Sequence, residues 1–172
     1  VGAVAQSPSV SNLASRAQVG TGGNIMFTGF NVGPGTSKTI LIRATGPALA
    51  GFGVADALAN PKLELYSSGA NKILENDNWG TPMGNAAPIT AVTFSSVGAF
   101  ALTAGSLDAA LLATLAPGSY TAQVSGVNNA TGVALVEVYE VGATGARLAN
   151  LSTRAPVGTG DNILIPALVI SP

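Results

Sequence analysis

Residues 120–125, Tyr-Thr-Ala-Gln-Val-Ser, decide the fold class. Apolar and polar types alternate, so Tyr120, Ala122 and Val124 face one way, and a period of two belongs to a β-strand. The pattern recurs in residues 135–140, Leu-Val-Glu-Val-Tyr-Glu, where Glu137 has apolar neighbours and is expected to point to water. Strands with one apolar and one polar side occur in antiparallel sheets whose outer face is solvated.

Working outward, similar runs fill 12–19, 24–32, 38–44, 63–67, 72–75, 109–115, 120–127, 133–141, 148–155 and 162–170, with Gly, Pro, Asn and Ser between them. Only 46–58 and 88–96 have room for a helical turn, and their Gly, Pro and Thr-Phe-Ser-Ser content works against it. Many short strands separated by turns predict an all-β fold, a two-layer antiparallel β-sandwich of jelly-roll type.

Composition narrows the chemistry. The 172 residues suit one domain, with 47% hydrophobic but only 9% charged residues, against about 25% charged in ordinary soluble domains. Such a chain is too apolar for disorder, and no run of 18 apolar residues exists for a membrane span. A net charge of −1 gives no electrostatic reason for nucleic acid or an anionic membrane as partner. Cysteine and histidine are absent, which removes disulfides, thiolate metal sites and the commonest general base. No cofactor and no enzyme activity are expected. Ala3 and Ala5, in the opening Val-Gly-Ala-Val-Ala-Gln, resemble the end of a processed export signal, so the chain is expected to be secreted, extracellular or at the cell surface.

Three passages carry a family resemblance: Leu63-Glu-Leu-Tyr, Glu75-Asn-Asp-Asn-Trp-Gly, and Leu115-Ala-Pro-Gly-Ser-Tyr-Thr-Ala-Gln-Val-Ser-Gly. They resemble the core of pre-peptidase C-terminal-type β-sandwich domains, accessory modules of secreted bacterial proteins. From residue 12 onward, the chain resembles an uncharacterised module found in tandem in large exported bacterial proteins. That resemblance implies a module without catalysis.

Each candidate site has a plainer reading. Glu75-Asn76-Asp77-Asn78 is the densest oxygen cluster and its chemistry suits calcium, but it lacks the full spacing of an EF-hand loop, and a strand-ending Asn/Asp turn with Trp79 folded over the sandwich edge explains it better. Ser106 and Asp108 lack the histidine a serine nucleophile needs, so Asp108 reads as a turn cap. Gly20-Thr-Gly-Gly and Gly158-Thr-Gly-Asp lack the lysine and following helix of a phosphate loop and read as hairpin turns. Asn129-Ala-Thr and Asn150-Leu-Ser fit the glycosylation triplet.

The remaining feature is a repeat. Residues 11–32, SNLASRAQVGTGGNIMFTGFNV, match 149–170, ANLSTRAPVGTGDNILIPALVI, at a constant offset of 138, with ten of 22 positions identical. The chain therefore divides into a flexible segment at 1–11, a module at 12–147, and C-terminal strands at 148–172 that repeat the module's opening. Strands rich in apolar residues and unpaired N–H and C=O groups need a cover. Three covers suit them: their own module, the next molecule's sheet by strand addition, or the rest of a longer array. Pro166 replaces Thr28, so the second copy needs a sheet edge or a bulge. Arg16 and Arg154 take matching places, as surface charges or as partners at a joint.

The pattern points to an extracellular structural subunit that polymerises with itself, head to tail, by donor-strand addition. The expected interface is Asn150, Leu151, Arg154, Val157, Ile163, Leu164, Ile165, Leu168, Val169 and Ile170. The alternative is a carbohydrate-binding or adhesin accessory module, with Trp79, Tyr66 and Tyr139 as stacking aromatics.

Overall fold

Apolar residues at every second position of strands such as 26–32 and 61–67 bury one side of each and so build two sheets face to face. The computed structural model describes residues 9–84 and 86–171. The elements are β1 Ser9–Val19, β2 Met26–Val32, β3 Lys38–Thr45, β4 Pro61–Ser67, β5 Asn71–Asn76, a single α-helical turn α1 Ala91–Ser96, β6 Ala109–Leu115, β7 Gly118–Gly126, β8 Gly132–Val141, β9 Leu148–Arg154 and β10 Ile165–Ser171. A short 3-10 helix, Pro47–Phe52, occupies the other stretch with room for helix. Sheet A runs β10-β1-β8-β3-β6 and sheet B runs β5-β4-β7-β2-β9, and every strand pair is antiparallel. The fold is the two-layer β-sandwich that the alternation predicts. β1 begins at Ser9, so residues 9–11 of the segment expected to be flexible are strand, and residues 1–8 lie outside the described residues.

The core lies between the sheets. Ile40, Ile42, Leu111, Val136 and Val138 from sheet A meet Met26, Phe30, Leu63, Leu65 and Val124 from sheet B, all buried. Each such side chain contributes about 1.5–3 kcal/mol on leaving water.

A second apolar cluster corrects the expectation of a solvated outer face. Leu41, Ala110 and Tyr139 point away from the main core and are covered by Phe94 of α1, with Leu102, Trp79 and Phe100 around them. Under this cover Glu137 is buried and does not reach water. Its carboxylate lies 3.1 Å from Arg43 Nε and accepts a 2.6 Å hydrogen bond from the Tyr139 hydroxyl. Arg43 stacks over the rings of Phe100 (4.2 Å) and Phe94 (5.0 Å) and donates to the Phe100 carbonyl. Burial raises the carboxyl's pKa, opposed by Arg43 and by the tyrosine hydrogen bond. Burial, with Glu137 nearby, likewise pushes the Tyr139 phenol up. The charge pair thus serves as the packing partner of a loop.

Removing one member of a buried pair leaves the other charge uncompensated. Arg43→Ala is expected to lower unfolding free energy by about 3–5 kcal/mol in denaturant titration. Arg43→Met combined with Glu137→Leu is expected to recover part of that loss.

Candidate self-assembly interface

The repeated passage has the same local build in both copies, and that build is not a hairpin. Gly20 N–H donates to Asn24 O at 2.9 Å, and Gly158 N–H donates to Asn162 O at 2.9 Å. Thr21 and Thr159 precede matching 3-10 turns, in which Gly22 (φ 59°) and Gly160 (φ 61°) take the left-handed conformation. Positive φ is the role expected of these glycines, but the turn carries the chain across the sandwich. β1 lies in sheet A and β2 in sheet B, while β9 lies in sheet B and β10 in sheet A. The hairpin expectation is therefore corrected: each copy is an arch.

The two arches pair with each other along both edges. β10 stands beside β1 and β9 beside β2, at one end of the sandwich. The register has two-fold symmetry. Arg16 faces Ile165, and their repeat counterparts Arg154 and Phe27 face each other. Leu13 faces Leu168, and Leu151 faces Phe30; Ala14 faces Ala167, and Ser152 faces Gly29. Even the irregularities match. The shift between Val10 and Asn12 leaves Ser11 unpaired, and the shift at Asn31/Val32 skips its counterpart Ala149. Each copy thus meets the other as a dimer interface meets itself.

Side chains hold β9 closely. Arg154 lies 4.2 Å above the Phe27 ring, so the matching arginine acts at the joint. Phe30, opposite Leu151, stacks on Tyr120 at 5.6 Å. A Cβ on Gly29 would sit 2.7 Å from Ser152 Oγ, so glycine is what admits the neighbouring strand. Asn150 lies opposite Asn31. At the root of β9, Glu140 accepts a 2.5 Å hydrogen bond from Leu148 N–H and pairs with Arg147 at 3.0 Å.

The same positions differ in burial between copies. Phe30, Val32 and Val19 are exposed by 3%, 1% and 0%, whereas their counterparts Leu168, Ile170 and Val157 are exposed by 57%, 64% and 70%. Ile163, Ile165 and Val169 are exposed too, while Leu164, Leu151 and Ala155 pack partly on the main core. All ten residues expected at the interface therefore lie on β9, on β10 or on the segment joining them. The acceptor side, Phe27, Gly29 and Phe30, was not singled out in the sequence, although the repeat itself contained the signal.

The two edges of β10 are unequal. Val169 O accepts from Ser11 Oγ at 3.3 Å, so its backbone polar groups face β1. Those of alternate residues share a direction, which turns Ile165 and Ala167 to β1 and Pro166 to the unpaired edge. Proline has no N–H, so that edge lacks one ladder donor, a device that discourages further strand pairing. Edge placement is what the proline required.

The remaining candidates resolve into scaffolding. Asn76 donates to Asn78 O and Thr81 O and accepts from Ala110 N–H, which closes the acidic turn. Asp108 accepts from Gly46 N, Ala48 N and Ser106 Oγ. Among the described residues there is no cluster of three or more His, Cys, Asp or Glu side chains that could hold a metal ion. Also among them, no helix is long and apolar enough to cross a membrane. Trp79 packs 5.2 Å from Phe94 and lies over the outer face of sheet A, and Tyr139 is buried. No family model, no curated protein and no solved structure matches the chain.

Restoring the missing donor tests the blunted edge. Pro166→Thr is expected to increase concentration-dependent association severalfold, read by light scattering, with unchanged far-UV circular dichroism.

Proposed function

We propose that this chain is a non-catalytic structural subunit that assembles head to tail into an extracellular filament. The C-terminal passage of one subunit adds to β1 and β2 of the next. The observation that carries this reading is the pairing of residues 148–171 with the module's opening strands along two strand edges. An identical β1–β2 edge exists on every other copy of the chain, so the same hydrogen bonds form in trans with no new geometry. The connection from β8 to β9, residues 142–147, includes Gly142 and Gly145 at positive φ, where the backbone can be reset. Exchange must break the contacts of Lys38 Nζ with Gly142 O and Thr144 O.

A head-to-tail exchange is heterologous, and one that does not close grows as a fibre. Low charge and many buried apolar positions suit packing in a fibre.

Negative-stain electron microscopy with light scattering on the chain and on a version ending at Arg147 tests the reading. Filaments are expected from the first and none from the second. Monomers from the 172-residue chain at millimolar concentration would overturn it.

A further inference from the structure

The pairing of the two copies implies a joint in which the second copy takes no part. Each residue with which β9 meets β2 has a counterpart in β1: Asn12 for Asn150, Leu13 for Leu151, Arg16 for Arg154, with Ala14 and Ser15 for Ser152 and Thr153. A second molecule's β1 therefore fits where β9 stands. Because the register is two-fold, its β2 then falls where β10 stands. We propose that the outer edges of β1 and β2 form a two-fold joint with the same edges of a second copy of this chain, a place that the C-terminal passage occupies in cis.

Point by point, this joint is at least as well matched as the one observed. Arg16 would stack on the partner copy's Phe27, as Arg154 does within one chain at 4.2 Å, and the contact would occur twice. Ala14 is smaller than the serine that comes within 2.7 Å of a Cβ on Gly29. The Ser11 bulge supplies the irregularity that Ala149 supplies now.

The inner side chains differ most. Val19, Met26, Phe30 and Val32 are already buried against β7 and β8 of their own module. Of their counterparts, Val157, Leu168 and Ile170 stay exposed, while Leu164 packs partly on the core. A joint between two first copies thus leaves no half-core in water. It would also run the sheets on, as β6-β3-β8-β1 continued by the partner's β2-β7-β4-β5. This joint closes on itself, unlike the open exchange of the filament reading, and does not depend on that reading.

The test releases the C-terminal passage without shortening the 172-residue chain. Ser152→Pro with Ala167→Pro removes two donors that face the first copy. Sedimentation velocity is expected to show a twofold increase in mass with the β-sheet spectrum retained. A folded monomer would overturn the proposal. If that variant unfolds, a second one decides. The chain has no cysteine, and Ser15 would face the partner's Thr28 as a close, non-hydrogen-bonded pair suited to a disulfide. Oxidised Ser15→Cys/Thr28→Cys is expected to yield covalent dimers that neither single variant gives. Their absence would overturn the joint. Filaments formed by the unaltered chain bear on neither result.

Discussion

Two strand edges lie side by side at one end of this sandwich, and the rest of the structure depends on how their backbone groups are paired. β1 and β2 each offer one edge to the module and one outward. Leaving adjacent N–H and C=O rows unpaired beside an apolar core invites any passing strand. The chain answers with a second copy of the same passage, which fits because the passage complements itself. That self-complementarity follows from the turn. Gly22 in the left-handed region sends the chain across to the other sheet, so each copy offers one strand to each sheet. Had the turn made a hairpin, both strands would lie in one sheet, and no half-turn could match both edges at once.

Much of this was legible in the sequence, for identifiable reasons. Period-two alternation in 120–125 and 135–140 marks strands whatever their neighbours, and on the apolar face of β7 Ala122 and Val124 are buried and Tyr120 half-buried. Pro166 announced an edge because a missing N–H is a property of the residue itself. Glu137 was misread because alternation cannot reveal whether the polar side of a strand is covered. The cover is residues 77–107, which have no periodicity, and its ring-stacked partner Arg43 stands in another strand. The Gly-Thr-Gly turns were misread in a related way. Local residues set the φ angle, but which strands pair afterwards is decided by contacts far away in sequence. The repeat showed that two passages are alike, while the two-fold register that relates them exists only in space.

The differences between the copies are not evenly spread. Residues 12, 13, 16, 17 and 19 are unchanged in the second copy, as are 20–22, 24 and 25, whereas every position from 26 to 32 differs. So β9 retains the features of β1 and β10 departs from those of β2. The departure has a mechanical consequence. The β2·β9 side of the joint includes an arginine over a phenylalanine and Leu151 opposite Phe30. On the β1·β10 side, Arg16 faces an isoleucine and Leu13 a leucine, and β10 is exposed along nearly its whole length. Cation–π contact is worth about 0.5–1 kcal/mol at exposed sites, and only the first side has it among the described residues. Opening should therefore begin at β10, with β9 the last to leave. In the proposed exchange, an incoming strand would therefore meet the edge of β1 before that of β2 and replace the passage one sheet at a time.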